Sequence, residues 1–185
     1  DHQRGLGQWV AVARVGLAAG CGLGALAETP GAPAGAGRLI HGVSVAVMTP
    51  NLIGVLVSKA TGKKLSDYLS EKVWAPFGME QDASWLLGSS GHEISGCCIQ
   101  ASTRDYARFG MFILGGGVVN GKAILPDGWI ASATTKQADI GAPGRGYGYQ
   151  WWTYDDGSFA AQGIFGQGIF IDPKRKLVVA SNSNW

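Results

Sequence analysis

Residues 146–185 read GYGYQWWTYDDGSFAAQGIFGQGIFIDPKRKLVVASNSNW, and their pattern is that of a β-sheet. Apolar residues recur with a period of two in three segments, Tyr147–Tyr154, Phe159–Ile171 and Lys176–Ser181, which are predicted strands. The turn sequences DDG (155–157) and DPKR (172–175) join them. Because connections this short link antiparallel neighbours, we expect an antiparallel meander.

Helical patterns precede these strands, each with a start or stop signal. They are Asn51–Thr61, ended by Gly62; a helix that begins at Leu65 or Ser66 and stops at Pro76; a helix that begins within Ser102-Thr103-Arg104-Asp105, with hydroxyl caps; and a short helix that opens at Leu125-Pro126-Asp127. Helices followed by antiparallel strands predict an α+β fold, with the antiparallel sheet flanked by helices.

Composition excludes several classes of protein. The 185 residues are 46% apolar and 10% aromatic, which excludes a disordered chain. The net charge is +2, and neither Lys nor Arg forms a run, so we expect no nucleic acid and no anionic membrane as partner. No stretch reaches the roughly 18 unbroken apolar residues of a membrane helix.

The three cysteines do not indicate a disulfide framework. Cys97 and Cys98 are adjacent, a spacing at which disulfides are rare, and Cys21 lies far away. Buried thiols are therefore the favoured interpretation. The three histidines are scattered without an HExxH or CxxC pattern, so we predict no metal site.

Residues 1–50 differ in composition from the rest. They contain ten Gly and ten Ala but no Lys, and we expect them to be a segment of uncertain origin that precedes the domain at 51–185. A secretory signal around 15–27, a flexible linker and a shifted reading frame in a GC-rich gene all remain open, with the last ranked slightly ahead. The compartment, cytoplasm or periplasm, is left open too.

Several motifs in this order resemble the serine hydrolases of the β-lactamase and penicillin-binding-protein superfamily. The resemblance rests on LIGVLVSKATGKKLSDYLSEKVWAPFGM (52–79), GCCIQASTRDYARFG (96–110), GYGYQWW (146–152) and the segment 162–185. It leans toward the branch of 6-aminohexanoate-dimer hydrolases and related carboxylesterases. It implies a β-lactamase/DD-peptidase-like fold over residues 51–185 that is incomplete at both ends, with a sheet left partly uncovered and prone to self-association.

The resemblance implies acyl transfer to a serine, followed by hydrolysis of a small amide or ester without a metal or cofactor. The catalytic motifs of that chemistry are not identifiable. No Ser-x-x-Lys occurs, and the nearest match, TGKK (61–64), lies at a predicted helix end. Residues 45–50 occupy the expected place of Tyr-x-Asn, and Gln162-Gly163-Ile164 replaces Lys-Thr-Gly. We therefore predict that this chain alone is inactive or nearly so.

One wall of a pocket is still predicted. By resemblance, Gly163 keeps the strand open for substrate and the Ile164 N–H is one of two oxyanion donors. The substrate-contacting residues would be Gln162, Gly163, Ile164, Phe165 and Gly166. The alternative is that Gly163 and Gly166 are strand glycines at a twist or bulge. For Trp151 and Trp152, predicted on opposite faces of one strand, core packing is expected.

Two rival interpretations remain. The chain could be a non-catalytic remnant or a binding module that keeps the family fold. It could also be an unrelated Ser-His-Asp hydrolase, with Ser44 in an imitation of a nucleophile elbow and His92 and Asp105 as partners, although Pro50 leaves little room for the helix that the elbow needs. For Arg104 and Asp105, adjacent on a helix, capping and solvation are favoured over a functional pair.

Overall fold

The computed structural model describes residues 50–183. The described chain divides into two compact units, one formed by residues 50–69 and 84–100 and the other by 70–83 and 101–183. The predictions for residues 1–49, which include the signal-like run, the position of Tyr-x-Asn and Ser44, lie outside the described residues.

The first unit contains two helices and a small hairpin-like pair of strands. Helix α1 covers residues 50–61 and ends at Gly62, whose φ of +66° is the left-handed conformation expected of a glycine after a helix. Helix α2 follows at Leu65–Leu69, and strand β1 (Ser84–Trp85) pairs antiparallel with β2 (Ile99–Gln100). The predicted end of the first helix at Thr61 is confirmed, and so is the start of the second at Leu65.

The second unit begins with a π-helical turn at Ser70–Trp74. Its longest helix, α3 at Thr103–Leu114, follows after the chain has passed through residues 84–100 of the first unit. The Ser102 hydroxyl accepts a hydrogen bond of 3.1 Å from the Asp105 N–H, which confirms the predicted cap. Next come β3 (Val118–Val119), β4 (Lys122–Ala123) and the short helix α4 (Trp129–Ala133).

Six strands then form one antiparallel sheet in which every strand pairs with its neighbours in sequence. They are β5 (Ala138–Asp139), β6 (Arg145–Tyr147), β7 (Trp152–Tyr154), β8 (Phe159–Gln162), β9 (Gly168–Asp172) and β10 (Leu177–Ser181). The predicted meander and the α+β class are therefore confirmed.

Two of the three predicted strands were wrong in their extent, because each is a hairpin of two strands. Tyr147–Tyr154 is broken between β6 and β7, where the Gly148 N–H donates to the Trp151 carbonyl at 2.7 Å. Phe159–Ile171 is broken between β8 and β9. Apolar alternation did not detect either turn, because apolar or aromatic residues continue through both of them.

The core of this unit lies between α3 and one face of the sheet. Ile171 is fully buried and pairs with Val178 on one side and Phe159 on the other. Helix α3 packs on β9 and β10 at Gly110, where a Cβ atom would overlap the side chains of Val178 and Ile169. A glycine at this position allows helix and sheet to approach closely.

The opposite face of the sheet carries a row of apolar and aromatic side chains. Leu177 and Val179 on β10 are 43% and 49% exposed, and Val179 pairs with Phe170, which is half-buried. Trp152 and Tyr154 of β7 lie on the same face and are also half-buried. This apolar face agrees with the expected sheet surface, and its role in self-association stays a prediction.

Candidate active-site loop

The predicted substrate-contacting residues lie at the β8–β9 hairpin, in a loop that runs from Gly163 to Gln167. The Gly163 N–H donates to the Gln167 carbonyl at 2.8 Å and closes the loop. Within it, the Gly166 N–H donates to the Gly163 carbonyl at 3.3 Å, so residues 163–166 form a β-turn. Of the five predicted residues, Gln162 therefore ends β8, and the other four, 163–166, form the turn.

The two central residues of this turn point outward. Ile164 is 83% exposed and Phe165 is 55% exposed, an unusual position for two large apolar side chains. The Phe165 N–H donates to Oε1 of the Gln167 side chain at 3.2 Å. Within residues 50–183, no hydrogen-bond acceptor is recorded for the Ile164 N–H. Within residues 50–183 the loop thus presents two backbone donors without an acceptor, the N–H groups of Ile164 and Gln167, and that of Ile164 lies beside two exposed apolar side chains.

The two glycines of the loop lie outside the strands, so the predicted strand twist or bulge is not their position. Gly163 lies one residue beyond β8, and its role toward a substrate stays a prediction. A Cβ atom on Gly163 would overlap the Gln167 side chain, which the loop uses as an acceptor. Gly166 has a φ of +90°, a conformation that L side chains rarely adopt. Both glycines therefore serve the turn itself.

Aromatic side chains support the loop from the neighbouring strand. The Gln162 Nε2 atom donates to the Tyr154 hydroxyl at 3.1 Å. The Tyr154 ring packs against Phe170 at a centroid distance of 6.3 Å, and the guanidinium of Arg145 lies 5.7 Å from the Tyr154 centroid. Tyr154 was not predicted, because its contact with Gln162 depends on the strand register, which a local pattern does not contain. Gln167 was not predicted either, because its role follows from the turn at 163–166, where the sequence pattern predicted a continuous strand.

The two tryptophans behave differently from each other. Trp151 is 8% exposed and meets Phe159 edge-on at 5.2 Å, so its predicted core packing is confirmed. Trp152 is half-buried and packs on Tyr147 at 5.0 Å on the open face of the sheet. Trp151 precedes β7 rather than lying in it, so the predicted single strand with both residues was wrong.

The nearest match to a Ser-x-x-Lys motif is a structural turn. The Thr61 hydroxyl donates to the Val57 carbonyl at 2.8 Å in the last turn of α1, and it accepts a weaker bond from the Lys63 N–H at 3.3 Å. This arrangement uses the hydroxyl as a helix-end partner, as the sequence predicted. It contains no feature of an activated nucleophile.

Asp105 is engaged in a network of its own. Its carboxylate is fully buried, so the predicted solvation was wrong, and it accepts bonds from the N–H groups of Glu80 and Gln81 at 2.7 and 3.2 Å. The Ser102 hydroxyl donates to it at 2.7 Å, and Arg108 pairs with it at 3.2 Å. Burial by itself raises the pKa of Asp105, but these donors together hold that pKa below its usual range. Every one of these contacts is structural.

The cysteine pair also differs from its prediction. Cys97 and Cys98 are joined by a disulfide, and Cys97 is exposed, so the expectation of buried thiols was wrong for both. The physical reason is the backbone of Cys98, whose φ of +78° turns the chain between the two residues. Cys21 lies outside the described residues.

Residues 50–183 contain neither a candidate metal site nor a candidate membrane-spanning helix. Between residues 50 and 183, no three His, Cys, Asp or Glu side chains come together in a group that could hold a metal ion. In the same range, none of the helices has both the length and the apolar character needed to cross a bilayer.

Comparison with known proteins gives a consistent picture. A profile of the beta-lactamase family matches residues 46–185. The chain is 28% identical to a 6-aminohexanoate-dimer hydrolase from Paenarthrobacter ureafaciens over 146 residues, which are 73% of this chain and 37% of the relative. These are the relatives that the sequence motifs predicted.

Solved structures extend the comparison. A protein assigned as a 6-aminohexanoate-dimer hydrolase from Bacillus anthracis superposes with a TM-score of 0.66 at 33% identity, over 74% of this chain and 37% of that one. A penicillin-binding-protein homologue from Caulobacter crescentus gives 0.58 at 18% identity, over 75% of this chain and 51% of that one. The hydrolase EstCE1 gives 0.57 at 15% identity, over 74% and 50%. The last two show the fold alone. The chain spans 37% of the length of each of the two 6-aminohexanoate-dimer hydrolases.

Proposed function

The chain belongs to the beta-lactamase family of hydrolases, and we propose that its loop 163–167 is one wall of an acyl-transfer site at which a serine hydrolase cleaves a small amide or ester. The Ile164 N–H is one of the two oxyanion donors of that site. Gln162, Gly163, Phe165 and Gly166 form the surface that the substrate contacts.

The observation that carries this proposal is the Ile164 N–H, which has no recorded acceptor among residues 50–183. A hydrolase that attacks a carbonyl carbon must stabilise the negative oxygen of the tetrahedral intermediate. A backbone donor that the turn already holds in place needs no reorganisation when that charge develops. The bonds that close the loop through Gly163 and Gly166 supply this rigidity.

The substrate class is supported by the side chains around this donor. Ile164 and Phe165 offer exposed apolar surface on which the alkyl part of a substrate can pack. The Gln162 side chain, oriented by the Tyr154 hydroxyl, offers a neutral amide group. The name of the relative from Paenarthrobacter ureafaciens points to a linear amide, and we extend that substrate class to the protein to which this chain contributes.

We propose further that the 185-residue chain alone hydrolyses nothing at a significant rate. Its sequence contains no Ser-x-x-Lys, and the residues at the expected place of Tyr-x-Asn do not form that motif. Without an activated serine, a single oxyanion donor does not start acyl transfer. No metal or cofactor takes part in this proposal.

The first experiment tests the nucleophile. The purified chain is incubated with p-nitrophenyl acetate, nitrocefin and a linear amide, and separately with a fluorophosphonate probe. We expect no turnover above buffer and no covalent labelling. Labelling of any serine at a rate that matches turnover would refute the proposed inactivity. Labelling of Ser44 in particular would support the rival Ser-His-Asp interpretation.

The second experiment tests the donor. The ligand is phenyl methylphosphonate, an anion that resembles the tetrahedral intermediate. In an NMR titration it should shift the Ile164 amide proton downfield, and by more than any other amide proton. Ile164→Pro removes this N–H while the turn is kept, because Ile164 is the second residue of the β-turn and its φ is not positive. Ile164→Ala keeps the N–H and is the matched control. Shifts in the rest of the loop that persist unchanged in Ile164→Pro would argue against the oxyanion role.

The two experiments also separate the enzyme from a binding module. Binding of the phosphonate through the Ile164 N–H alone supports the proposal that the loop is one wall of a hydrolase site. A chain that binds small amides tightly through other residues, without turnover, favours the non-catalytic alternative.

A further inference from the structure

The vicinal cysteines of the first unit form a site of a different kind. Successive side chains of an extended strand point to opposite faces, so adjacent cysteines meet only where the backbone turns sharply. Cys98 supplies that turn with a φ of +78°, in a region that non-glycine residues seldom enter. The Cα atoms lie 3.7 Å apart, the sulfurs are bonded, and Cys97 is exposed.

Hydrogen bonds hold this turn independently of the sulfurs. The Cys97 N–H donates to the Ile94 carbonyl at 3.2 Å, and the Trp85 indole N–H donates to the carbonyls of both Ile94 and Cys97 at 3.0 Å. The Leu86 N–H donates to the Cys98 carbonyl at 3.1 Å. Each cysteine therefore has its carbonyl fixed by a donor from the neighbouring strand segment.

The residues just before the pair are tied to the start of helix α1. The Ser95 hydroxyl donates to the Pro50 carbonyl at 2.9 Å, and the Gly96 N–H donates to the Asn51 side-chain oxygen at 3.2 Å. We therefore expect the backbone around the cysteines to keep its conformation when the sulfur–sulfur bond is opened. The two thiols then remain side by side in a preformed pair.

We propose that Cys97 and Cys98 are a thiol-exchange site, which an external dithiol opens and whose reduced form chelates one thiophilic centre of the trivalent-arsenic class. A thiolate of the external dithiol attacks the exposed Cys97 sulfur, and the Cys98 sulfur leaves as a thiolate. The second thiol of the reagent then releases the Cys97 thiolate. Two electrons pass to the protein, each protein thiolate takes a proton, and the reagent leaves as a cyclic disulfide.

Chelation of an arsenoxide by the two thiols needs no oxidant or reductant. With phenylarsine oxide, two sulfur–arsenic bonds form, the arsenic–oxygen bond breaks, and the two thiol protons leave with the oxygen as water. A pair of thiols held in place loses little freedom on binding, which favours one arsenic per chain.

The test uses the full chain in a Cys21→Ser background, so that only this pair titrates. Protein purified under air is denatured in the presence of a maleimide reagent, which alkylates free thiols. The mass of the tryptic peptide 73–104 then gives the number of alkylated cysteines. We expect none before dithiothreitol and two after it. With one equivalent of phenylarsine oxide added to the folded, reduced chain, the count returns to zero.

Matched variants decide the outcome. In Cys21→Ser/Cys97→Ser and Cys21→Ser/Cys98→Ser a single thiol remains, and we expect one adduct with or without the arsenical. Two adducts in air-purified protein before reduction, or equal arsenical protection in either single-thiol variant, would overturn the proposal.

A second pair of variants tests the preformed geometry. Trp85→Phe removes the indole donor to Cys97 and should weaken arsenical retention by about fivefold, the effect of one hydrogen bond. Trp74→Phe, which removes an indole bond to the Gln81 carbonyl elsewhere, is the control and should leave retention unchanged. Equal retention in Trp85→Phe and the parent chain would contradict the preformed pair.

Discussion

The buried Asp105 carboxylate accepts a 2.7 Å hydrogen bond from the backbone N–H of Glu80, a residue 25 positions earlier in the chain. Glu80 in turn pairs through its side chain with Arg108 at 3.0 Å, and Arg108 pairs with Asp105. One carboxylate thereby joins the segment before α3 to the first turn of that helix. Since α3 packs on β9 and β10, this network fixes the first turn of the helix that covers these strands.

Acid should weaken the fold through Asp105. The pKa of this carboxyl is lower in the folded chain than in the unfolded one, because its hydrogen bonds and Arg108 outweigh the effect of burial. Its contribution to stability is therefore complete above the unfolded pKa and is lost as the pH falls through the folded pKa. Urea midpoints measured between pH 7 and pH 3 should decline over the acidic part of this range.

The matched variants for the acid effect are Asp105→Asn and Asp127→Asn, the latter an exposed residue before α4. Asp105→Asn should lose about 2–3 kcal/mol of unfolding free energy at pH 7, since the charge-assisted bonds from the Glu80 and Gln81 N–H groups to a buried carboxylate are lost. Its midpoint should also vary less with pH than that of the parent. Identical pH profiles for Asp105→Asn and the parent would exclude this role.

Gly110→Ala should destabilise the second unit. The added methyl group would overlap the side chains of Val178 and Ile169, and overpacking of this kind costs about 1–3 kcal/mol. Met111→Ala, at the neighbouring position that is 58% exposed, is the control and should change stability by less than about 0.5 kcal/mol. Thermal unfolding followed by circular dichroism measures both, and an unchanged midpoint in Gly110→Ala would contradict the close helix–sheet contact.

Gly166→Ala should disturb the candidate loop. At a φ of +90° an alanine is strained by about 1–2 kcal/mol, so either the loop changes conformation or the unfolding free energy falls by that amount. Phe165→Ala removes an exposed side chain without this strain and serves as the comparison. Chemical denaturation reads the stability, and amide NMR of residues 163–167 reads the conformation. A Gly166→Ala chain identical to the parent in both would show that the turn does not need the glycine.

Self-association through the open face of the sheet stays a prediction, and the structure supplies its test. Exposed Leu177 and Val179 lie on the same face of β10, next to the half-buried Phe170. Sedimentation velocity should show association that grows with protein concentration, because contiguous apolar surface favours it. Val179→Lys should weaken it, whereas Lys176→Arg should not. A parent chain that stays monomeric at high micromolar concentration would contradict the prediction.

Local pattern was sufficient for much of the fold. The helix stop at Gly62, the cap at Ser102 and the turn at 172–175 depend on residues close in sequence, and all were predicted. The family was likewise predicted from short motifs in order. The residues of the candidate loop were singled out from the sequence, but their turn conformation was not predicted. The reason is that Ile164 and Phe165 continue the apolar alternation that is typical of a strand.

By itself, then, the sequence determined the α+β class, most helix positions, the family and the lack of a Ser-x-x-Lys motif. Only the tertiary structure decided that Phe159–Ile171 is a hairpin with Ile164 at its tip, that Asp105 is buried, and that Cys97 and Cys98 are bonded. The physical reason is the range of the interactions. Periodicity and capping act over a few residues, whereas burial and hydrogen-bond partners such as Glu80 for Asp105 are set by segments that meet only after the chain has folded.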